Sequence, residues 1–508
     1  MWIRVFFFAV LLSPVAGLAQ EEPMSAIDWL SQSVREKPTL TPEKDESGGN
    51  AAHDTIEVTP LAAIRKDSVG LLPASVTGLP PDFWANSQTT RIVELIRAQS
   101  TNSLPEILSL LYTIMLAELD APTDDPGNSV LLLARTDKLL DLGALPQAQA
   151  LLERAGPNEA EIFRRWFDVS LLTGRSTHAC TAMRAAPGFA PTLQAQVFCL
   201  ARSGDWNAAA LTLATGETLG FVTTEQADLM SRFLDPGMFE GELEIPVTPP
   251  LTPLDFTMRE AIALSRPSGA LPLAFVNADL DPSAAWRNQL SAAERLVRSQ
   301  ALQENHLIDL YTGRQPAASG GVWDRVAAIQ ALDVALLAGD QDGVVVALPR
   351  AYRSMAEVGL EVAFAKHYGE RLKVFPLSDT DAHSAALSVQ LLSPDFEKAG
   401  ETMSPRSPPE SFLLALSRGQ ILEPSNGHIL ETAIAAAFRD PLPEGALKSL
   451  LRERKLGEAV LEATLLLKDE AFADPGDIQA ALAAFRAVGL ESEARRIALQ
   501  LLILDRRG

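Results

Sequence analysis

The sequence predicts an all-α protein in which short antiparallel helix hairpins stack one on another, following a disordered N-terminal segment. Three observations predict this fold class. The 508 residues are 47% hydrophobic but only 6% aromatic, so alanine and leucine supply most apolar side chains, which is typical of helices. From about residue 88 onward, apolar residues recur at helical spacing. A short element of glycine and alanine also recurs along this pattern.

The first residues, MWIRVFFFAVLLSPVAGLAQ, have the pattern of a secretory signal peptide. One arginine precedes the apolar run 5–12, and Gly17 and Ala19 are the small residues that such cleavage sites require. The run spans only about 12 Å as a helix, too short to cross a bilayer. We therefore predict a signal peptide over residues 1–19, cleaved after Ala19, and a mature protein in a bacterial periplasm without membrane insertion.

Residues 20–87 are rich in proline, serine, threonine and acidic residues and predict a disordered linker. Such a segment buries too little apolar surface to offset the entropy of ordering it. The island AIDWLSQSV departs from this composition, because Ile27, Leu30 and Val34 share one face of a short helix that also carries Trp29. We interpret these four residues as a candidate motif that binds a partner or packs back onto the folded body. The alternative is that these apolar residues are incidental in a linker and bind nothing.

The recurring element ends one helix with glycine and places alanine five residues later in the next helix. Glycine suits the left-handed stop of the first helix, and alanine leaves a small face where the two helices cross. The copies in the first block lie about 30 residues apart. The pairs are Gly143 and Ala148, Gly174 and Ala179, Gly204 and Ala209, and Gly489 and Ala494. A degenerate copy has Arg454 at the glycine position, before Ala459.

A helix, a glycine turn and a second helix with a small residue, repeated at this period, resemble tetratricopeptide-like and related helical-repeat proteins. The resemblance implies an α-solenoid, a superhelix of stacked hairpins whose concave surface binds an extended peptide or a helix. The alternative is a non-repetitive helical bundle with coincident glycines.

Two proline-rich stretches divide the helical region, because proline cannot continue a helix. The predicted segments are an N-terminal helical-repeat block over 88–235, a Pro-rich linker over 236–252, a middle helical block over 253–392, a Pro-rich loop over 393–410 and a C-terminal helical-repeat block over 411–508.

The only two cysteines, Cys180 and Cys199, flank the predicted turn APGFAP between neighbouring antiparallel helices. They lie at about 9 and 12 Å from that turn, so a bridge requires no backbone distortion. An oxidising compartment favours a disulfide over two buried thiols. A metal site using His178 would lack a fourth ligand.

The search for chemistry is mostly negative, since the nucleophile-elbow, zinc-protease and phosphate-loop motifs are absent. Asp379, Asp381 and His383 would share a face on a strand, but a helix capped by Ser378 or Asp379 is the preferred interpretation. Glu410 stands in a Glu-Ser dipeptide similar to that of lytic transglycosylases, without the glycine-rich segment that follows there. We predict no catalytic, cofactor-binding or metal-binding residue.

The net charge of −22 disfavours nucleic acid and anionic membrane surfaces as partners. We predict a non-catalytic periplasmic scaffold or adaptor that binds a protein or peptide of the cell envelope, favouring a basic segment on that partner. The alternatives are a cell-wall enzyme with Glu410 as its acid, and a structural spacer.

Overall fold

The structure is a computed structural model, and its helical content confirms the all-α class. The residues that it describes are 65–239, 245–247, 250–264, 271–316, 318–420, 423–425, 428–440, 442–443, 445–468 and 474–504. Within these ranges there are 25 α-helices, four short 3-10 helices and one isolated β-bridge.

The α-helices share lengths of four to seventeen residues and are, in chain order, α1 (Ala74–Thr77), α2 (Thr89–Ala98), α3 (Pro105–Leu116), α4 (Val130–Asp141), α5 (Leu145–Ala155), α6 (Ala160–Leu172), α7 (Ser176–Ala185), α8 (Leu193–Arg202), α9 (Trp206–Thr218), α10 (Thr224–Leu234), α11 (Pro253–Ala261), α12 (Leu273–Val276), α13 (Trp286–Arg298), α14 (Glu304–Thr312), α15 (Val322–Ala338), α16 (Gln341–Ala356), α17 (Glu361–Leu372), α18 (Thr380–Leu392), α19 (Phe396–Thr402), α20 (Pro408–Ser417), α21 (Ile429–Arg439), α22 (Gly445–Arg452), α23 (Leu456–Leu466), α24 (Pro475–Ala487) and α25 (Glu491–Ile503). The 3-10 helices are Lys66–Ser68, Pro187–Phe189, Pro236–Phe239 and Asn277–Leu280.

Consecutive helices pack against each other over long stretches of the chain. Each helix from α3 to α10 contacts the next one, and the same holds from α12 to α19 and from α22 to α24. Of the helices in the described ranges, none is both long and apolar enough to cross a membrane.

The repeated glycine and alanine positions have one geometry in all copies. The glycines have positive φ and the alanines are fully buried: Gly143 (80°), Gly174 (73°), Gly204 (88°) and Gly489 (90°), with Ala148, Ala179, Ala209 and Ala494. In the degenerate copy Arg454 also has a positive φ of 58°, and Ala459 is fully buried. The left-handed stop and the small crossing residue are therefore common to each of these hairpins.

The packing also includes contacts between the two ends of the folded body. Helix α2 packs on both α4 and α23, and α3 packs on both α4 and α25. The buried Gln99 joins the ends directly, because its Nε2 donates to the carbonyl oxygen of Leu461 (3.1 Å) and its Oε1 accepts from the Thr464 hydroxyl (2.8 Å). Stacking in chain order is thus combined with closure of the first helices onto the last hairpins.

The middle block meets the same central helices. The Ser299 hydroxyl, after α13, donates to the carbonyl oxygen of Leu142 (2.8 Å), and Asn277 Nδ2 donates to that of Gly143 (3.0 Å). The turn that follows α4 is therefore held by residues from the middle of the chain.

The prediction of a disordered linker over 20–87 is wrong for residues 65–87, because apolar side chains of this stretch pack into the helical body. Phe83 and Trp84 are buried, and the backbone N–H of Gly457 donates to the Phe83 carbonyl oxygen (3.0 Å). The fully buried Arg135 of α4 donates to the carbonyl oxygen of Val69 (2.8 Å). These contacts attach the start of the described chain to the helical body.

Candidate functional site

One face of the first repeat block is covered by the chain itself. The helices α6, α8 and α10 form this face, and α11 packs against all three. Ile245 and Leu251 are buried there, and Arg259 of α11 donates from Nη2 to the Ile245 carbonyl oxygen (2.7 Å). We call the described residues 245–247 and 250–252, which belong to the predicted Pro-rich linker, the strap.

A cavity of about 430 Å³ lies between the strap and α6, α8 and α10. Its volume falls within the range of small-ligand pockets. The described lining includes the buried Arg164, Asp168, Gln194 and Arg259, but no histidine, cysteine or serine. The lining therefore holds charges of both signs without a histidine base or a cysteine or serine nucleophile.

Asp168 is a titratable group of this cavity with a clearly perturbed pKa. Burial raises the pKa of Asp168 to about 7, against the opposing effect of Arg164 and Arg165, and Asp255 raises it further. The Nε2 of Gln194 is buried and has no hydrogen-bond partner among the described residues. The site can bind polar groups and exchange one proton near neutral pH.

The hairpin of α15 and α16 exposes a second kind of surface. Val334 and Leu337 of α15 are 65% and 75% exposed, and Val346 of α16 is 77% exposed. Val334 precedes the turn at Gly339 by about the same number of residues as Val346 follows it, so the two valines lie at similar height on the antiparallel pair. We call Val334, Leu337 and Val346 the hairpin stripe.

The charges around the hairpin stripe are unevenly distributed. Asp340 and Asp342 are exposed at the turn, whereas Arg350 and Arg353 are exposed further along α16. The carboxylate of Asp340 also accepts from the backbone N–H of Gly343 (3.1 Å) and so caps α16. The end of the stripe near the turn is therefore acidic.

Helix α9 exposes a third apolar surface. Only Ala209, Leu213 and Gly216 of this helix are buried. On the opposite side Leu211 is largely exposed, and Leu219 and Phe221 are exposed just beyond the helix. We call Leu211, Leu219 and Phe221 the α9 face. Helices with apolar residues on all sides are normally buried, so α9 and α15 each have a face suited to a further element.

The structure joins Cys180 and Cys199 in the disulfide that the sequence predicts. Their Cα atoms lie 5.1 Å apart on α7 and α8, and both side chains are buried. A buried disulfide is typical of an oxidising compartment. His178 is not a ligand of these sulfurs and instead packs against the Trp166 ring, with centroids 5.2 Å apart.

Asp379 and Glu410, which the sequence singles out, accept backbone hydrogen bonds at the starts of α18 and α20, whereas His383 is buried within α18. Asp379 Oδ1 accepts from the backbone N–H groups of Asp381 and Ala382, both at 3.0 Å, and so caps α18. Glu410 Oε2 accepts from the backbone N–H of Arg406 (2.6 Å) and lies 3.8 Å from Nε2 of the buried His383. Glu410 does not line the cavity beside the strap.

No three or more histidine, cysteine, aspartate or glutamate side chains in the described ranges are arranged to hold a metal ion. The signal peptide and the motif of Ile27, Trp29, Leu30 and Val34 lie outside the described residues.

No family model, curated protein or solved structure matches this chain. The surfaces described above are therefore the basis for inferring its function.

The hairpin stripe and the strap are features that the sequence analysis did not identify. The stripe has a sequence signal, because VWDRVAAIQALDVALLA places apolar residues on every side of α15. The strap has a weaker one, since Ile245, Val247 and Leu251 alternate with prolines in a stretch that otherwise reads as a linker.

Proposed function

We propose that this protein is a non-catalytic, tetratricopeptide-like scaffold of the periplasm that binds a protein partner of the cell envelope. The observation that supports it best is the hairpin stripe, in which three large apolar side chains are mostly exposed on adjacent helices. Covering such side chains is worth about 1.5 kcal/mol or more for each one that becomes fully buried. The positive-φ glycines and buried alanines support the solenoid part of the proposal.

A suitable partner element for the stripe is an amphipathic helix, whose apolar face covers exposed apolar side chains on a pair of adjacent helices. Asp340 and Asp342 at the turn favour a basic residue at one end of that helix. The net charge of −22 acts in the same direction at longer range. Binding is therefore expected to weaken as the salt concentration rises.

The test is a capture experiment from periplasmic extract at low salt, with the mature protein as bait. Leu337→Asp places a charge in the stripe and should abolish recovery of the partner. Val76→Asp is the matched control, because Val76 on α1 is 67% exposed and lies outside the stripe. Circular dichroism verifies that both variants are folded. Recovery of the same protein by wild type and Leu337→Asp would refute the role of the stripe.

Turnover of purified peptidoglycan is measured with the same preparations to separate the scaffold from the cell-wall enzyme. We expect no turnover by wild type. Turnover that disappears in Glu410→Gln would replace the scaffold proposal with an enzymatic one.

A further inference from the structure

We propose that the α9 face is the docking site of this chain's own residues 26–34. The proposal concerns a different surface from the hairpin stripe and does not depend on the proposed function. It rests on the apolar character of α9, on the path by which the N-terminal segment reaches the folded body, and on the helical pattern of the segment itself.

The α9 face is an apolar surface that the described residues leave exposed. Leu211 is 70% exposed, Leu219 is 59% exposed and Phe221 is 48% exposed. Glu217 is the single charged residue of the helix. An element that covers Leu211, Leu219 and Phe221 therefore needs apolar side chains and no matching charge, and it can leave the exposed Thr215 and Thr218 at the edge of the contact.

The opposite side of the same hairpins is already occupied by the strap and α11. A further segment of the chain that packs on this part of the first block therefore has the α9 side available to it. The exposed Leu211 is on that available side, because helical spacing places it opposite the buried Ala209, Leu213 and Gly216.

The N-terminal segment joins the folded body beside the start of α6. Lys66, the second described residue, pairs with Glu159 just before α6 (Nζ to Oε1, 2.8 Å). The edge at the start of α6 continues through Phe163, whose ring lies 6.0 Å from that of Phe189 in the next connection.

From that connection the edge reaches the start of α10. Thr192 and Thr223, which cap α8 and α10, both line the cavity beside the strap. Leu219 and Phe221 immediately precede Thr223. Neighbouring helices lie about 10 Å apart, and two to three such spacings separate the start of α6 from the start of α10. The distance from Lys66 to Phe221 is therefore roughly 20 to 30 Å.

Thirty residues, 35–64, separate the proposed segment from the first described residue and would form its tether. Thirty residues with random-coil statistics span about 30 Å (root-mean-square), which matches the distance to be covered. Such a match gives a tethered segment an effective concentration on the order of millimolar. Weak apolar contacts are then sufficient for docking within one molecule.

The segment carries a complementary surface. A helix over AIDWLSQSV would place Ile27, Leu30 and Val34 on one side and Trp29 and Gln32 on the other. Three apolar side chains thus meet the three of the α9 face. A surface of this size is small against the roughly 800 Å² per partner of a stable dimer, which favours the tethered segment over a second copy.

The experiment is photo-crosslinking in the full mature chain. Leu211→p-benzoylphenylalanine should crosslink within one molecule to a peptide that contains residues 26–34, identified by mass spectrometry after digestion. Val76→p-benzoylphenylalanine is the control, because Val76 is 67% exposed and lies closer along the chain to the tether. Its yield with the same peptide should be at least several-fold lower.

A second pair of variants tests the helical face. Leu30→Asp should lower the crosslink at position 211 about tenfold, because it puts a charge into the apolar contact. Gln32→Asp adds the same charge on the opposite side and should leave the yield unchanged. Equal yields at positions 211 and 76, or a yield insensitive to Leu30→Asp, would overturn the proposal. Crosslinks that form mainly between isotopically labelled and unlabelled chains would overturn it in favour of a second copy.

Discussion

The degenerate repeat at Arg454 gives a prediction in which a single substitution increases stability. Arg454 follows α22 with a φ of 58°, at the position where the other copies have glycine. A side chain in this left-handed conformation costs about 1–2 kcal/mol relative to glycine. The arginine side chain offers little compensation, since it is 77% exposed and its Nη2 lies 3.8 Å from the exposed carboxylate of Asp82. Arg454→Gly should therefore relieve the strain without loss of a strong contact.

The expected gain is smaller than the strain itself. Glycine gives the unfolded chain more freedom, which subtracts about 0.4–1 kcal/mol. The net increase in the free energy of unfolding is thus about 0.5–1 kcal/mol. For a cooperative unit of roughly 400 residues this raises the Tm by about 1 °C or less, which differential scanning calorimetry on matched samples resolves.

Glu453→Gly is the matched control for this substitution. Glu453 is adjacent and does not have a positive φ, so glycine there adds freedom to the unfolded chain without relieving strain. Its Tm should fall while that of Arg454→Gly rises. The reasoning is refuted if the Tm of Arg454→Gly is unchanged or lower, or if both variants shift in the same direction.

Three further predictions concern a buried acid, the disulfide and a close helix contact. Burial raises the pKa of Glu106 from 4.5 to about 7. The folded state therefore loses stability as the pH rises from about 4 through 7, because the buried carboxyl must then lose its proton. Glu106→Gln should raise the Tm at pH 8 but not at pH 4. An equal gain at both pH values would contradict this. The double variant Cys180→Ser, Cys199→Ser should lower the free energy of unfolding, measured by urea titration, by about 3 kcal/mol. A thiol assay that finds two free cysteines in the oxidised wild type would exclude the bridge. Gly457→Ala puts a Cβ 2.3 Å from the ring of Trp84, so the free energy of unfolding measured in urea should fall by about 1–3 kcal/mol. An unchanged free energy of unfolding would show that the ring moves freely.

The features that the sequence predicted are those set by short spacing along the chain. Gly174 and Ala179 are five residues apart, and the backbone conformation and crossing contact that they produce are local to one hairpin. The same is true of Cys180 and Cys199, which face each other because two antiparallel helices of similar length meet at one turn.

The features that the sequence did not predict depend on contacts between distant residues. Gln99 reads as a solvent-facing glutamine at the end of α2, but a residue 365 positions later in the chain buries and pairs it. The strap reads as a linker because its prolines exclude a helix, although an extended chain can still bury Ile245 and Leu251 against helices. The hairpin stripe was overlooked because helical spacing alone does not distinguish a buried apolar side chain from an exposed one.

The pairing of Gln99 with Thr464 has a consequence for how the protein matures. Helices α2 and α3 cannot complete their packing until the last hairpins have been synthesised, because α23 and α25 pack against them. Contacts of such long sequence separation are expected to form late and slowly. A molecule truncated before α23 should therefore leave apolar surface of α2 and α3 exposed to chaperones and proteases. The contact between the two ends thus distinguishes a full-length chain from a truncated one.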